Sequence, residues 1–420
     1  SFGGGDFDSG ETLNSSFDLK SVASEWGFCC GNDATSGWTI QSNFGQDPTF
    51  CGNESPSTTY TDEGGVGSFI HEPPSGFLAL CTANLPDPDL NNAATPVFKT
   101  IVWTGDDDNP ETHTVGFQPD LVWAKSLSSA SHRLADSVRG GNNVLSSDSS
   151  SEAVEDDEEG DVRTFISTGF TTEGDTDNAN LNTDTVNYVA WNWKAGTDTG
   201  FSLVEWTGDD EYPDTAVAHE LGGVPELIIA KDRSNDASWP VWHKDLGSGN
   251  GLYLDTTAAE TTHNGEWGST AFNATNFYVS DTTGGMGGDG SLNSSASDYI
   301  AYCFRSIEGH SKIGSYVGNQ VIGGNFIFCG FRPAFVWIKL ITAAGEAWYT
   351  QDTARDTYNE ATKYLQLENV VAEYTAVGKD LLSNGFKIRN TWTGQNYSGS
   401  AYTYVYYAVA ELPFKYATAR

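Results

Sequence analysis

Three segments of this chain repeat one pattern, and a repeat of that length constrains the fold before any other feature is considered. Val115-Gly-Phe-Gln-Pro-Asp-Leu-Val-Trp-Ala-Lys125 recurs as Leu221-Gly-Gly-Val-Pro-Glu-Leu-Ile-Ile-Ala-Lys231 and as Cys329-Gly-Phe-Arg-Pro-Ala-Phe-Val-Trp-Ile-Lys339. Each copy sets an apolar run between a proline and a lysine six residues later. The prolines, Pro119, Pro225 and Pro333, lie 106 and 108 residues apart, so the repeating unit is as large as a domain. An array of such modules reads as a binding or surface protein rather than as one enzyme with one pocket.

Further landmarks follow the same order in each module. Phe98-Lys-Thr-Ile-Val-Trp-Thr-Gly105 precedes the first proline, Phe201-Ser-Leu-Val-Glu-Trp-Thr-Gly208 the second, and a weaker copy, His310 to Gly318, the third. Aromatic-rich runs close the modules at Tyr188–Lys194, Tyr299–Arg305 and Tyr406–Glu411. Midway, aromatic or basic residues accompany an aspartate: His132 with Asp136, Trp242-His-Lys-Asp245, and Trp348 with Asp352. The segments are short, rich in β-branched and aromatic residues, and divided by Gly, Asn, Asp and Ser. The closing runs are apolar on both alternating faces, which predicts strands buried on both sides. Val377–Leu382 is at most a short helical turn. The expected fold is all-β: tandem jelly-roll or lectin-like β-sandwich modules, three homologous repeats after a partial N-terminal β-sandwich. The expected domains are 1–90, 91–197, 198–308 and 309–420, with a proline-punctuated linker at Pro86–Pro96 and a solvated acidic loop at Glu152–Asp161.

With 57 acidic against 21 basic residues, the net charge is −36. Lys and Arg neutralisation drives phosphate-backbone binding, so nucleic acid is an unsuitable partner, as is an anionic membrane surface. No run of 18 apolar residues is present to cross a membrane as a helix. The chain starts at Ser1 without an initiator Met, and numbering that begins partway along a longer protein is the expectation. Six cysteines at 29, 30, 51, 81, 303 and 329 form no CxxC; Cys303 and Cys329 lie in strand-like runs and read as small buried hydrophobes. The five N-x-S/T sequons, at Asn14, Asn53, Asn273, Asn293 and Asn396, read as chance matches in a chain rich in these residues.

Catalytic patterns are weak. His71-Glu72 and His219-Glu220 do not extend to HExxH, and GxSxG and the P-loop are absent. Gly284–Asp289 matches a single calcium-roll repeat, but such rolls need stacked copies, so a flexible glycine loop is the better reading. His132 and Asp136 could form part of a triad only if the histidine recurred, and the aspartate reads as structural. Asp106, Asp107 and Asp108 follow the first Trp-Thr-Gly, and Asp209 and Asp210 the second, so they share one loop position; they are candidate oxygen ligands for Ca²⁺. No other cofactor is indicated. Trp239, Trp242, His243 and Trp267 fall in irregular stretches of the second module and are the candidate exposed binding face, since aromatic rings stack on sugars.

Phe44-Gly-Gln46, Pro73–Pro86, Gly116–Lys125 and Tyr188–Gly196 resemble segments of tail-fibre and appendage proteins of tailed phages, many of them marine, and Glu411–Arg420 is similar to how such chains end. In that family the stretch finishing at Asn84-Leu-Pro86 closes a SPRY or concanavalin-like sandwich, which implies such a domain or its remnant in residues 1–86. The resemblance implies a virion protein on an external appendage, partnered by other virion proteins and a host-surface glycan. By analogy it implies a homotrimer. Two functions follow as expectations: non-catalytic attachment to a host surface, with avidity from repeated weak sites, or a structural role as capsid fibre, decoration or tail adornment. Sharply different residues at one loop set across the modules favour the first. Large self-complementary apolar patches favour the second. A depolymerase would need a long parallel β-helix or converging carboxylates, and its short-period repeats are absent.

Overall fold

The computed structural model describes residues 45, 47–50, 52, 54–79, 84, 96–108, 110–155, 162–173, 181–211, 214–247, 249–262, 266–280, 292–295, 297–399 and 402–412. The chain forms two compact units, Ser1–Leu85 and Pro86–Arg420. In the first, Tyr60 and Phe69 form an antiparallel bridge around a turn closed by Asp62. The Asp62 carboxylate accepts the amides of Val66 and Ala79 at 2.9 and 2.7 Å and the Asn84 side chain at 2.5 Å. These bonds, the Ala79 amide foremost, hold its pKa below the ordinary value. Most of the N-terminal sandwich expected over 1–90 lies outside the described residues, as do Cys29, Cys30, Cys51, Cys81, residues 86–95 of the linker, residues 156–161 of the acidic loop, the Gly284–Asp289 loop and the last eight residues.

Among its described residues, the second unit is all-β apart from one helical turn at Thr393–Asn396. One sheet order occurs three times. In the first module the opening strand Phe98–Thr104 pairs with the closing strand Asn187–Trp193; then come the central strand Leu121–Ser126, His132–Asp136, Gly140–Leu145 and Val154–Glu155. The second module repeats it with Phe201–Thr207, Asp298–Phe304, Leu227–Asp232, Pro240–His243, Asn250–Tyr253 and Thr261–Thr262. The third does so with Ser311–Val317, Thr403–Val409, Phe335–Leu340, Trp348–Asp352 and Ala361–Gln366, continuing through Tyr374–Leu382, Gly385–Ile388 and Phe326–Phe328 into one eight-stranded sheet. Val377–Leu382, expected as a helical turn, is therefore strand; pairing with Gly385–Ile388 overrides its local pattern.

Every central strand is buried along its whole length. In the first module Val122, Ala124, Tyr188 and Ala190 pack with Val162 and Phe170 of a short outer sheet, which makes a sandwich core. The opposite face, carrying Leu121, Trp123, Trp191 and Trp193, joins Leu227, Tyr302 and Phe304 of the second module and Phe335, Trp337 and Tyr407 of the third in one shared core. Trp193 illustrates the mixing: its ring lies 6.1 Å from Phe304 and 5.7 Å from Phe335.

The junctions close a ring. Trp239 of the second module donates its indole N–H to the carbonyls of Ser146 and Ser149 in the first, at 3.1 and 2.9 Å. Trp348 of the third does the same to Tyr253 and Thr256 in the second, at 3.2 Å each. His132 of the first completes the cycle by bonding the Gln366 carbonyl of the third at 2.9 Å. These donors and acceptors occupy matching strand positions, so the three modules are related by a pseudo-threefold. The repeated lysines serve the same framework. Lys125, Lys231 and Lys339 are fully buried and donate to backbone carbonyls, among them Val370 of the third module for Lys125 and Ser150 of the first for Lys231. Burial draws each pKa down to about 8, which leaves the ammonium protonated at neutral pH.

Because the modules share one core, Trp239→Ala is expected to cost about 4 kcal/mol and to lower one cooperative unfolding transition of the whole second unit. Differential scanning calorimetry checks this: a separate low-melting third of the enthalpy would mean independent modules.

Candidate functional site

One end of each module carries the same constellation. An opening-strand ring stacks on a closing-strand tyrosine: Trp103 on Tyr188, Trp206 on Tyr299 and Tyr316 on Tyr404, at 5.1–5.2 Å between centroids. The first ring donates to a carbonyl on the facing loop, of Leu181, Leu292 or Gln395. Each tyrosine hydroxyl accepts the amide of Thr183, Ser294 or Tyr397. A glycine follows each opening strand because the loops touch there: a Cβ on Gly105, Gly208 or Gly318 would sit 2.1–2.2 Å from a backbone oxygen.

The next three residues are gripped by one buried asparagine per module. Asn182 accepts the Asp106 amide on its side chain at 3.1 Å and the Asp107 amide on its carbonyl at 3.0 Å, and it donates to the Asp108 carbonyl at 2.8 Å. Asn293 makes the same three bonds to Asp209, Asp210 and Glu211, and Asn396 to Asn319, Gln320 and Val321. The middle residue is left-handed in every case, with φ of 59° at Asp107, 58° at Asp210 and 55° at Gln320. Asn293 and Asn396, which read as chance sequons, are thus fully buried clamps. The signal that could have found two of the three is Leu-Asn six residues before the closing tyrosine, at Leu181-Asn182 and Leu292-Asn293.

The candidate calcium ligands lie in these loops, but their carboxylates are used locally. Asp106 Oδ1 accepts the Asp108 amide, Asp107 Oδ1 the Asp184 amide, Asp209 Oδ1 the Glu211 amide, and Asp210 Oδ1 the Ser295 amide. Among the described residues, no three His, Cys, Asp or Glu side chains gather in a group able to hold a metal. The expected binding face needs correction. Trp239 and His243 are fully buried, Trp267 is buried and Trp242 is half-buried against Phe272, because Pro240–His243 is a sheet strand and these rings pack into junction and sandwich cores.

The landmark alignment is also corrected. Leu227 pairs with His243 as Leu121 pairs with Asp136 and Phe335 with Asp352, so His243, not Asp245, holds the aspartate position. Asp136 accepts from Arg139 and from Tyr302 of the second module; Asp352 accepts from Arg355 and from Trp191 of the first. His132 hydrogen-bonds Trp123 and Gln366 rather than Asp136, so the two form no dyad. In the second module the pair becomes His243 and Leu246, and burial lowers the histidine pKa to about 3, leaving a neutral imidazole. The closing tyrosine of the third module is Tyr404 rather than Tyr406, two residues earlier than expected. Cys303 and Cys329 are buried free thiols.

What differs among the three ends is what they display. The first shows Asp106–Asp108 and the second Asp209–Glu211, whereas the third shows Asn319, Gln320 and the exposed Val321 and Ile322. On the adjoining edge strand, the outward pairs are Thr112 and Thr114, Ala216 and Ala218, and Phe326 and Phe328. Residues 93–413 match the family described as a domain of unknown function (DUF7483). The chain belongs to that family. Neither the curated proteins nor the solved structures contain a match.

Asn293→Ala is expected to destabilise the second unit by about 2–3 kcal/mol, since it strips partners from several buried polar groups; urea unfolding monitored by tryptophan fluorescence reads it. Glu111 offers a pH test. It stands where Thr215 donates to Asp209 and accepts from the clamp Asn293, and where Asn325 donates to the clamp Asn396, and its buried Oε2 lacks a hydrogen-bond partner. Desolvation, then Asp106 and Asp108, raise its pKa to about 7. The folded state holds this proton more tightly than the unfolded chain, so stability is lost as pH rises from about 4.5 through 7. Glu111→Gln is expected to match the parent near pH 5 and to exceed it at pH 8 by about 1 kcal/mol, the linkage being damped by partial solvent screening. Denaturant midpoints across that range check the sign.

Proposed function

We propose that this chain is a non-catalytic attachment protein of a virion appendage, a tail fibre or spike that engages a host surface, with a glycan as the ligand class. The observation that carries the reading is the contrast at the clamped ends. A framework reproduced bond for bond presents three acidic residues twice and Asn319, Gln320 and Val321 once at the same loop positions. A scaffold whose displayed residues diverge while their supports stay the same suits recognition, as loops on a rigid sandwich do elsewhere. The strongly shifted titratable groups Lys125, Lys231, Lys339, His132 and His243 serve packing and junctions, which is consistent with a role without chemistry. The apolar inner faces of the three sheets are covered inside one chain by the shared core. A structural virion role is the second reading, favoured by the apolar face of the third module.

Immunogold labelling of particles with antibody against the full chain separates the two. Label at the distal end of a tail or its fibres is expected, with the same antibody blocking adsorption. Label over the capsid or along a tube would replace attachment with the structural role, and unlabelled particles would remove the virion reading.

A further inference from the structure

The edge strand Phe326–Phe328 lacks the protection its two counterparts have. It terminates the eight-stranded sheet, and among the described residues no strand pairs with its outer side. Ile388 donates its amide to the Asn325 carbonyl and Cys329 donates to Asn384, both at 2.9 Å. Alternation in an antiparallel ladder then points the main-chain N–H and C=O of Phe326 and Phe328 toward the open edge. Their side chains are 44 % and 62 % exposed, beside Val317, Val321 and Ile322, of which Ile322 is 76 % exposed. The Asn325 side chain bonds the Val317 carbonyl, which brings strand and loop together.

The corresponding edges carry carboxylates. Glu111–Thr114 begins with an acid and follows Asp106–Asp108; Thr215–Ala218 follows Asp209, Asp210, Glu211 and Asp214. Charges beside an edge strand oppose strand addition. In the third module Asn319, Gln320 and Val321 stand at the three clamped positions and Asn325 stands where the first has Glu111. Lys387, cross-strand from Phe326, and Arg389, paired with Asp380 at 3.3 Å, lie beside the Gly323 turn. Two copies of a chain with net charge −36 repel each other, whereas residues 319–325 beside this edge carry no carboxylate.

We propose that this edge is a self-association face, on which a second copy of the chain pairs antiparallel about a twofold through Ile327. Phe-Ile-Phe reads the same in both directions, so the twofold sets Phe326 against Phe328 of the mate and Phe328 against Phe326. The same residues supply the hydrogen-bonding groups directed at the open edge. An isologous contact of this kind closes at two copies and joins two sheets across the dimer. The proposal is independent of whether the protein attaches or only builds.

Sedimentation velocity on the full chain tests it, from about 1 to 100 µM, the range in which modest interfaces dissociate, in about 0.5 M NaCl, where charge repulsion is screened to a few ångströms. A monomer–dimer equilibrium that tightens with salt is expected. Phe326→Thr with Phe328→Thr, which installs the first module's residues, should weaken it at least about tenfold, as loss of central aromatic anchors does. Val321→Asp, which restores a carboxylate where Asp108 stands, should weaken it independently, with thermal melting confirming that both variants fold. A monomer at every concentration overturns the proposal, as does a trimer or a dimer unaffected by either variant.

Discussion

The whole second unit depends on sheets that are apolar on both faces. A six-stranded sheet with only its outer face covered would leave Trp123, Trp191 and Trp193 of the first module in water, together with their counterparts in the others. Burying each such ring contributes a few kcal/mol, so no module can close on itself without forfeiting a large part of its stability. Three copies arranged in a ring solve this, because every inner face meets two others. The polar junctions then set the angle at which they meet. Indole and imidazole N–H groups reach carbonyls on the neighbouring module, and the buried ammonium groups of Lys125 and Lys231 donate to carbonyls of both modules at their junctions.

This arrangement explains why the family match, 93–413, spans the ring rather than one repeat. The smallest part that can bury its own apolar surface is three modules long. It also explains how asymmetry enters. The Asp136–Arg139 and Asp352–Arg355 pairs fill two junction positions, and His243 with Leu246 fills the third, so the ring is a pseudo-threefold rather than a true one. Once copies share one chain, each can change without forcing the same change on the others.

That freedom is greatest at the clamped ends. Stacked rings, the crowded glycine and the buried asparagine hold the loop in all three modules, and the displayed side chains add bonds of their own to it, such as those of Asp107 and Asp210 to the facing loop. Acidic loops lie beside two of the three short edge strands. The third end trades charge for Phe, Val and Ile. The physical meaning of the repeat therefore lies in its differences as much as in its likeness.

Much of this was legible in the residues. The triple landmark pattern, the all-β character, the strands buried on both sides and the recurrent lysine all follow from spacing and periodicity. Periodicity reports that a face is buried and not by what. Trp239, Trp267 and His243 sat in irregular stretches that resemble surface, yet Trp239 meets its carbonyl partners 90 and 93 residues away and His132 meets Gln366 234 residues away. Asn293 and Asn396 looked like sequons because a clamp is defined by the loop facing it, not by its neighbours in sequence. The sequence by itself determined what each strand would bury; only the tertiary structure decided that the second face of each sheet is covered by the other two modules, because that choice rests on long-range packing that no local pattern encodes.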